Sequence, residues 1–508
     1  MTRAVLCSVL LLCCPLFLTG ELLSPFNGDT PIETGSVENP LLFQAGAGSC
    51  FFVYTKNGDL AVKYSPDNGS TFAAIVPDYG GLELSNAGSL QLMKNQGNGG
   101  LVFLRAEVNG TTGIYCLQLT GEGTAKLTTT TPLDDPEREG TPGDYRVIPA
   151  PAGYVLVYHK GNFLGITRLK TDWSRSYLNT ECPGIENFEL RMSFRAGPPF
   201  YCGVLERLVG DKKHIDYYEL DGTGLTVKPV LTMAAASPVQ YQLITAPGGA
   251  MWLVYLAGGK IYGKALVDGS WVDLKAGNPL SGADGISLMD FFIFSDMLFL
   301  CGYVPDSSGY KVYGCTIDTA NAVKQMKSGG MLTGVSIKDK LSFAPLKDGN
   351  ILIQYQEAAG GNFGIQKYDR ASDSLTAYPV VMPGDIISAS FIHFKPSNWL
   401  LVVNTLAAGK NKMIVYEYNP EEDKYLFKQE TSVYADSVGV PGEMPGDNIH
   451  LFTTADGKLI YDASTNQSSL VESACTVEFY ESLYGDSFIL LEKQGEYFLR
   501  KVNRGVQG

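Results

Sequence analysis

The chain has 508 residues, 45% of them hydrophobic, with 57 glycines and 28 tyrosines; 53 acidic side chains against 39 basic ones give a net charge of −14. That acidity disfavours nucleic acid and anionic membrane surfaces, both of which are held through Lys and Arg. The glycine and tyrosine content suits a β-rich globular protein with many tight turns.

Residues 1–20 read as a secretory signal, with Arg3 at the positive end and the apolar stretch Ala4–Phe17 too short for an ordinary membrane span. A cut near Gly20 is expected, although Leu18 departs from the small-residue pattern before such a site. Cys13 and Cys14 are candidates for a lipid anchor, in a poor context for one. Residues 21–39 form a polar leader and residues 40–508 the body, in which no apolar run reaches membrane-spanning length. The expectation is a secreted, periplasmic or cell-surface protein.

The body starts with a short apolar strand at Phe51–Tyr54, followed by Asn57-Gly58, the two positive-φ residues of a tight hairpin. Leu60–Tyr64 is the return strand, then come the turn Ser65–Thr71 and a fourth strand at Phe72–Val76. The second strand of this unit recurs at Leu101–Leu104, Val155–Tyr158, Tyr201–Val204, Trp252–Tyr255, Leu298–Cys301, Leu352–Tyr355, Leu400–Val403, Ile449–Phe452 and Phe488–Leu491. The turn residue recurs at Asp67, Thr120, Asp172, Asp221, Asp268, Asp318, Asp369, Asn419, Asp462 and Asn503, at intervals of 41 to 53 residues. Four strands per unit of about fifty residues is the blade of a β-propeller, so the predicted fold is all-β, with about ten four-stranded antiparallel blades. Seven or eight blades with extra strands, or two smaller propellers in series, remain open. The tenth unit ends before its fourth strand, which the stretch between Leu22 and Ser36 would supply, closing the ring and removing a sheet edge.

Seven cysteines follow the signal, an odd number that cannot all pair within the chain. Cys301 and Cys315 fall on neighbouring predicted strands and are the first disulfide to test; small buried hydrophobes are the alternative.

Ser65-Pro66-Asp67-Asn68-Gly69-Ser70-Thr71-Phe72 resembles the Asp-box, the Ser-x-Asp-x-Gly-x-Thr-Trp/Phe turn of bacterial-neuraminidase-repeat (BNR) propellers such as sialidases and sortilin-type receptors. The five diagnostic positions Ser65, Asp67, Gly69, Thr71 and Phe72 all agree, and Asp268-Gly269-Ser270-Trp271 looks like a degraded second copy. A carboxylate such as Asp67 can cap the N–H groups of its own turn, and Gly69 supplies a backbone shape closed to bulkier residues. The resemblance therefore implies architecture and a structural role for these residues.

A sialidase would need three arginines, a Tyr–Glu pair and an aspartate. The nearest match to its first arginine motif, Tyr145-Arg146-Val147-Ile148-Pro149, carries one extra residue, which would reverse the strand alternation after Arg146. Arg146 is thus the one catalytic candidate, and only if the chain is sialidase-like. The four histidines (His159, His214, His393 and His450) show no metal-ligand spacing, and Asp134-Asp135-Pro136-Glu137 and Glu421-Glu422-Asp423 read as solvated loop tips. No metal or cofactor is expected. The leading expectation is an exported, non-enzymatic propeller that binds carbohydrate or a protein partner where blade-connecting loops converge. A sialidase-like glycoside hydrolase and a cell-envelope scaffold are the alternatives.

Overall fold

A computed structural model describes residues 23–502, apart from 26–30, 46–47, 68, 70, 95–98, 190, 194–199, 221–223, 235–239, 246–248, 295–296, 326–331, 347, 373, 380–384, 396–397, 408–409, 432–448, 455–456, 463–466, 472–475 and 482–486. The described residues form ten antiparallel sheets and no helix. None of the ten predicted second strands is missing from them. Blade 1, for example, is Glu38–Gln44, Cys50–Lys56, Asp59–Ser65 and Ala73–Ile75, hydrogen-bonded in chain order.

Blade 2 runs from Leu84 to Leu127, blade 3 from Pro142 to Glu181, blade 4 from Ile185 to Ala234 and blade 5 from Gln240 to Asp273. Blade 6 spans Leu288 to Gln325, blade 7 Ser342 to Ala377, and blade 8 Asp385 to Thr431. Blade 9 has three strands among the described residues, Ile449–Thr454, Gly457–Asp462 and Gln467–Val471. Blade 10 is built from Thr476–Glu481, Ser487–Lys493 and Glu496–Val502.

Local chemistry sets these units. Asn57 and Gly58 take φ of 55° and 84° between the paired residues Lys56 and Asp59, the backbone a two-residue hairpin requires. The second strands of blades 1, 2 and 6 are almost continuously buried, as strands covered on both faces by neighbouring sheets are.

Successive sheets pack through apolar side chains. Phe51 and Val53 of blade 1 meet Val102 and Tyr115 of blade 2, and Phe103 and Cys116 meet Tyr145 and Leu156 of blade 3. The series continues without a break to blade 8, where Leu401 and Tyr416 cover Leu352 and Ile365 of blade 7. Leu490 and Leu499 of blade 10 pack on Leu42 and Phe52 of blade 1, so the last sheet returns to the first. Two separate wheels would place blade 5 against blade 1; instead Trp252 and Ile261 of blade 5 pack on Leu298 of blade 6. The fold is a ten-sheet β-propeller, and a large side chain sealed in such an interface contributes about 1.5–3 kcal/mol.

The N-terminal segment supplies the outer strand of blade 10. Leu23–Pro25 pairs with Arg500–Val502, and Glu33 and Thr34 pair with Tyr497 and Glu496 of the same strand. Glu33 then reaches blade 1, accepting hydrogen bonds from Lys56 at 3.0 Å and from the Tyr54 hydroxyl, with Lys63 at 2.8 Å.

The expected Cys301–Cys315 disulfide is not formed, because the two side chains lie on opposite faces of blade 6. Cys301 pairs across the ladder with Gly314, and Cys315 with Leu300, a one-residue offset that reverses the face. Cys301 sits in the core shared with blade 7 and Cys315 in the core shared with blade 5; both are buried and free.

Candidate functional site

The turns joining third and fourth strands are held by their own carboxylates. In blade 1, Asp67 Oδ1 accepts the Ser65 hydroxyl at 2.7 Å and the Thr71 N–H at 2.8 Å, while Oδ2 accepts the Thr71 hydroxyl at 2.7 Å. Gly69, at φ +85°, donates its N–H to Ser65 Oγ at 2.6 Å. Burial would raise the Asp67 pKa, but the bonds from Ser65 and Thr71 outweigh it and hold the carboxyl below its usual value. Phe72 packs against the core shared by blades 10 and 1.

Four of the other corners repeat parts of this arrangement, while Asp221 and Asn503 lie outside the described residues. Asp172 accepts the Ser174 N–H, Asp318 those of Ala320 and Ala322, and Asp369 that of Ala371, each at 2.9 Å. Asn419 accepts the Glu421 N–H at the same distance. Asp268 differs: it and Gly269, at φ 48° and 75°, form a two-residue hairpin between paired Val267 and Ser270. Trp271 then packs edge-on against Tyr217, ring centroids 5.3 Å apart.

A cavity of about 620 Å³ opens between blades 3 and 4 at the end that carries these corners. Its floor is the apolar interface itself, with Val155, Tyr201 and Leu220, and the Tyr201 hydroxyl is tied to the Pro149 carbonyl at 3.1 Å. One wall is the face that blade 3 turns toward blade 4. Arg168 lies directly across the ladder from Val155 on one side and Ser176 on the other, so the three share a face. Lys170, two residues along the same strand, is exposed at the rim. Arg175 also borders the cavity, but its guanidinium donates to the Pro132 carbonyl at 2.5 Å and to the Thr131 side chain. No Asp, Glu, His or Cys is among the described lining residues.

Alternation along strands, which sequence reading does not convert into inter-blade geometry, is the signal that joins Arg168 to Lys170. Strand 1–2 and strand 3–4 turns supply the lining, so the cavity lies at the end of the ring opposite the blade-connecting loops.

Arg146 occupies an exposed position on the first strand of blade 3, between buried Tyr145 and Val147, and donates to the Tyr145 carbonyl at 2.8 Å. It is not beside the cavity. Arg207 is paired with Asp216 at 2.6 Å in blade 4. The side chains of Arg191 and Arg195 lie outside the described residues.

The acidic segment 134–137 is solvated only in its second half: Pro136 and Glu137 are exposed, whereas Asp134 and Asp135 are buried. Asp134 accepts the Ile114 N–H of blade 2 at 2.8 Å and Lys160 Nζ of blade 3 at 2.7 Å, joining two blades. The Asp135 N–H donates to the Tyr158 hydroxyl oxygen at 2.8 Å, and its carboxylate accepts the Asn179 amide at 2.6 Å. Among the described residues no group of His, Cys, Asp and Glu side chains has the arrangement of a metal site.

No protein-family model matches this chain, and no curated protein matches it. Similar solved structures include the WD40 domain of SCAP from fission yeast, 13% identical over 83% of this chain and 98% of that one, with a TM-score of 0.33. A eukaryotic initiation factor is 14% identical over 80% of this chain and 91% of that one, TM-score 0.40. An ancestral GH74 enzyme is 13% identical over 93% of this chain and 72% of that one, TM-score 0.32. The propeller description rests on the sheet topology itself.

Proposed function

We propose that this chain is an exported, Asp-box-type β-propeller that binds carbohydrate without hydrolysing it. The observation that carries this reading is the cavity between blades 3 and 4: about 620 Å³, concave, apolar at its floor, with hydroxyls and cations on its walls and no described acid or imidazole among its lining. That volume falls in the range of small-ligand sites. Glycoside hydrolysis by the common routes needs a pair of carboxyl groups flanking the bond, which the described lining does not offer. The five matched positions of the Ser65–Phe72 turn support the Asp-box assignment, and the apolar stretch of residues 1–20 supports export.

The test is a screen of immobilised glycans with the purified full chain and with Ala150→Trp, which fills the cavity. Binding to a subset of glycans that the variant loses is the expected result. Equal binding by both proteins, or none by either, would overturn the assignment. Hydrolysis of a fluorogenic sialoside that Arg146→Ala abolishes would replace it with a sialidase-type enzyme.

A further inference from the structure

We infer that Asn57 is a site of spontaneous covalent modification, converted through a cyclic imide with Gly58 to aspartate and isoaspartate, and that it reacts faster than the equivalent Asn109 in blade 2. In an Asn-Gly pair the glycine backbone nitrogen, unhindered by a Cβ, attacks the asparagine side-chain carbon Cγ. A carbon–nitrogen bond forms there, and the side-chain nitrogen leaves as ammonia, taking the proton of the glycine N–H. Water then opens the five-membered imide at either carbonyl, so the step needs no cofactor and no enzyme. The site lies apart from the cavity between blades 3 and 4.

Asn57-Gly58 and Asn109-Gly110 share one backbone. Each is a two-residue hairpin between paired strand residues, with φ of 55° and 84° in the first and 47° and 76° in the second. The turn rearrangement that brings the glycine nitrogen onto Cγ is therefore common to both. Their side chains differ. Asn109 is clamped: its Oδ1 accepts the Glu83 N–H at 3.1 Å, and its own N–H donates to the Glu83 carbonyl at 3.1 Å. Swinging its Cγ toward Gly110 breaks the first of these bonds. The Asn57 side chain, equally exposed, has no hydrogen-bond partner among the described residues. Asn27, Asn68 and Asn98 also precede glycine but lie outside the described residues and take no part in the comparison.

One restraint acts the other way. The Gly58 carbonyl accepts the Ala87 N–H of blade 2 at 2.7 Å, whereas the space beside Gly110 is open. That bond holds the glycine carbonyl and not the nitrogen that attacks. A Cβ placed on Gly58 would meet nothing closer than 3.9 Å, so the turn has room to pivot. Each exposed hydrogen bond broken on the way to a transition state slows a reaction about two- to tenfold, so the Asn109 clamp decides the order. The product also acts on the fold. Each conversion adds one negative charge to a chain already at −14, and isoaspartate carries the side-chain methylene into the backbone. A two-residue turn between paired Lys56 and Asp59 does not fit the longer backbone, and the Gly58–Ala87 bond between blades 1 and 2 is loosened with it.

The experiment is incubation of the full chain in warm, mildly alkaline buffer, followed by peptide mapping with mass spectrometry that separates aspartate from isoaspartate. Asn57 is expected to convert at least about threefold faster than Asn109. The same incubation in denaturant should bring the two rates together, because the Glu83 clamp is then gone. Asn57→Gln, whose longer side chain would have to close a six-membered ring, should show no conversion at position 57. Hydrogen exchange at Ala87 should accelerate as the parent ages and stay constant in Asn57→Gln.

Equal rates in the folded chain, or Asn109 ahead of Asn57, would overturn the assignment. A ratio that survives in denaturant would overturn it as well, by tracing the preference to neighbouring residue types and not to the clamp. Protection of both sites over a period that converts the denatured chain would mean that the shared turn backbone forbids the cyclisation, and would sink the inference outright. Unchanged exchange at Ala87 in a modified parent would remove the loosening of the contact between blades 1 and 2.

Discussion

Lys160 Nζ lies 2.7 Å from Asp134 Oδ2, with only 7% and 0% of the two side chains exposed. The pair joins the segment after blade 2 to the second strand of blade 3, and Lys160 also donates to the Asp135 carbonyl at 2.9 Å. Removing one member leaves the other as an unpaired buried charge. Lys160→Met should lower stability by about 3–5 kcal/mol, and the double change Lys160→Met with Asp134→Asn should recover part of the loss. Chemical denaturation followed by circular dichroism measures both; a single variant within about 1 kcal/mol of the parent would contradict the account.

Neighbouring blades are also clasped by glutamine. Gln91 of blade 2 donates to the Tyr145 carbonyl at 2.6 Å and accepts the Val147 N–H at 3.1 Å, both on the first strand of blade 3. Gln240 of blade 5 makes the same two bonds to Met289 of blade 6, at 3.2 and 3.1 Å. Gln91→Leu strands one donor and one acceptor at an inner strand, and should cost about 2–4 kcal/mol. Hydrogen exchange at Val147 should accelerate in that variant and stay unchanged at Met289.

Ring closure should depend on acidity. Burial alone would raise the Glu33 pKa, but hydrogen bonds from Lys63, Tyr54 and Lys56 hold it down from 4.5 to about 2. A depressed carboxyl contributes fully above its unfolded value and loses that contribution as pH falls toward the folded one. The parent should therefore be more stable than Glu33→Gln by about 1–2 kcal/mol at pH 7, and the two should converge between about pH 5 and pH 2. Denaturation midpoints across that range decide it. A constant gap would contradict the assignment.

In blade 1, Asp67→Ala removes the acceptor for three bonds within one turn and should cost about 1–2 kcal/mol. The folded carboxyl titrates below the ordinary value, so the penalty should be full at neutral pH and shrink as acid protonates the parent. Gly69→Ala should also destabilise, because φ of +85° strains any residue with a Cβ.

Cys301 and Cys315 should remain thiols. Burial pushes both upward, Cys315 to about 12 and Cys301 well above 9.0, so neither offers thiolate at neutral pH. Thiol reagent should label them only after denaturation, and non-reducing peptide mapping should return no Cys301–Cys315 link.

The sequence made the blades legible where the governing contacts are short in range. Asn57-Gly58, Asn109-Gly110 and Gly258-Gly259 each specify a turn from two residues, and all six take positive φ between paired strands. The regular corner spacing then gives the repeat. What stayed hidden depends on pairing between distant segments. Cys301 and Cys315 looked like partners until the register placed Gly314, not Cys315, opposite Cys301. Asp134 and Asp135 looked solvated because their partners Ile114, Lys160 and Asn179 lie 20 to 44 residues away. The cavity itself is formed where Leu220 of blade 4 closes beside Val155 of blade 3, a meeting of two blades that no local pattern specifies.

Because Leu23–Pro25 is hydrogen-bonded to Arg500–Val502, a growing polypeptide must hold an early strand without its partner until almost the whole body has been synthesised. At about 5–20 residues per second that wait lasts from roughly half a minute to well over a minute. Blades 2 to 8 can assemble progressively behind the ribosome, whereas blade 10 stays incomplete on its outer edge. Nascent chains stalled before residue 496 should therefore be unusually sensitive to aggregation and to capture by chaperones.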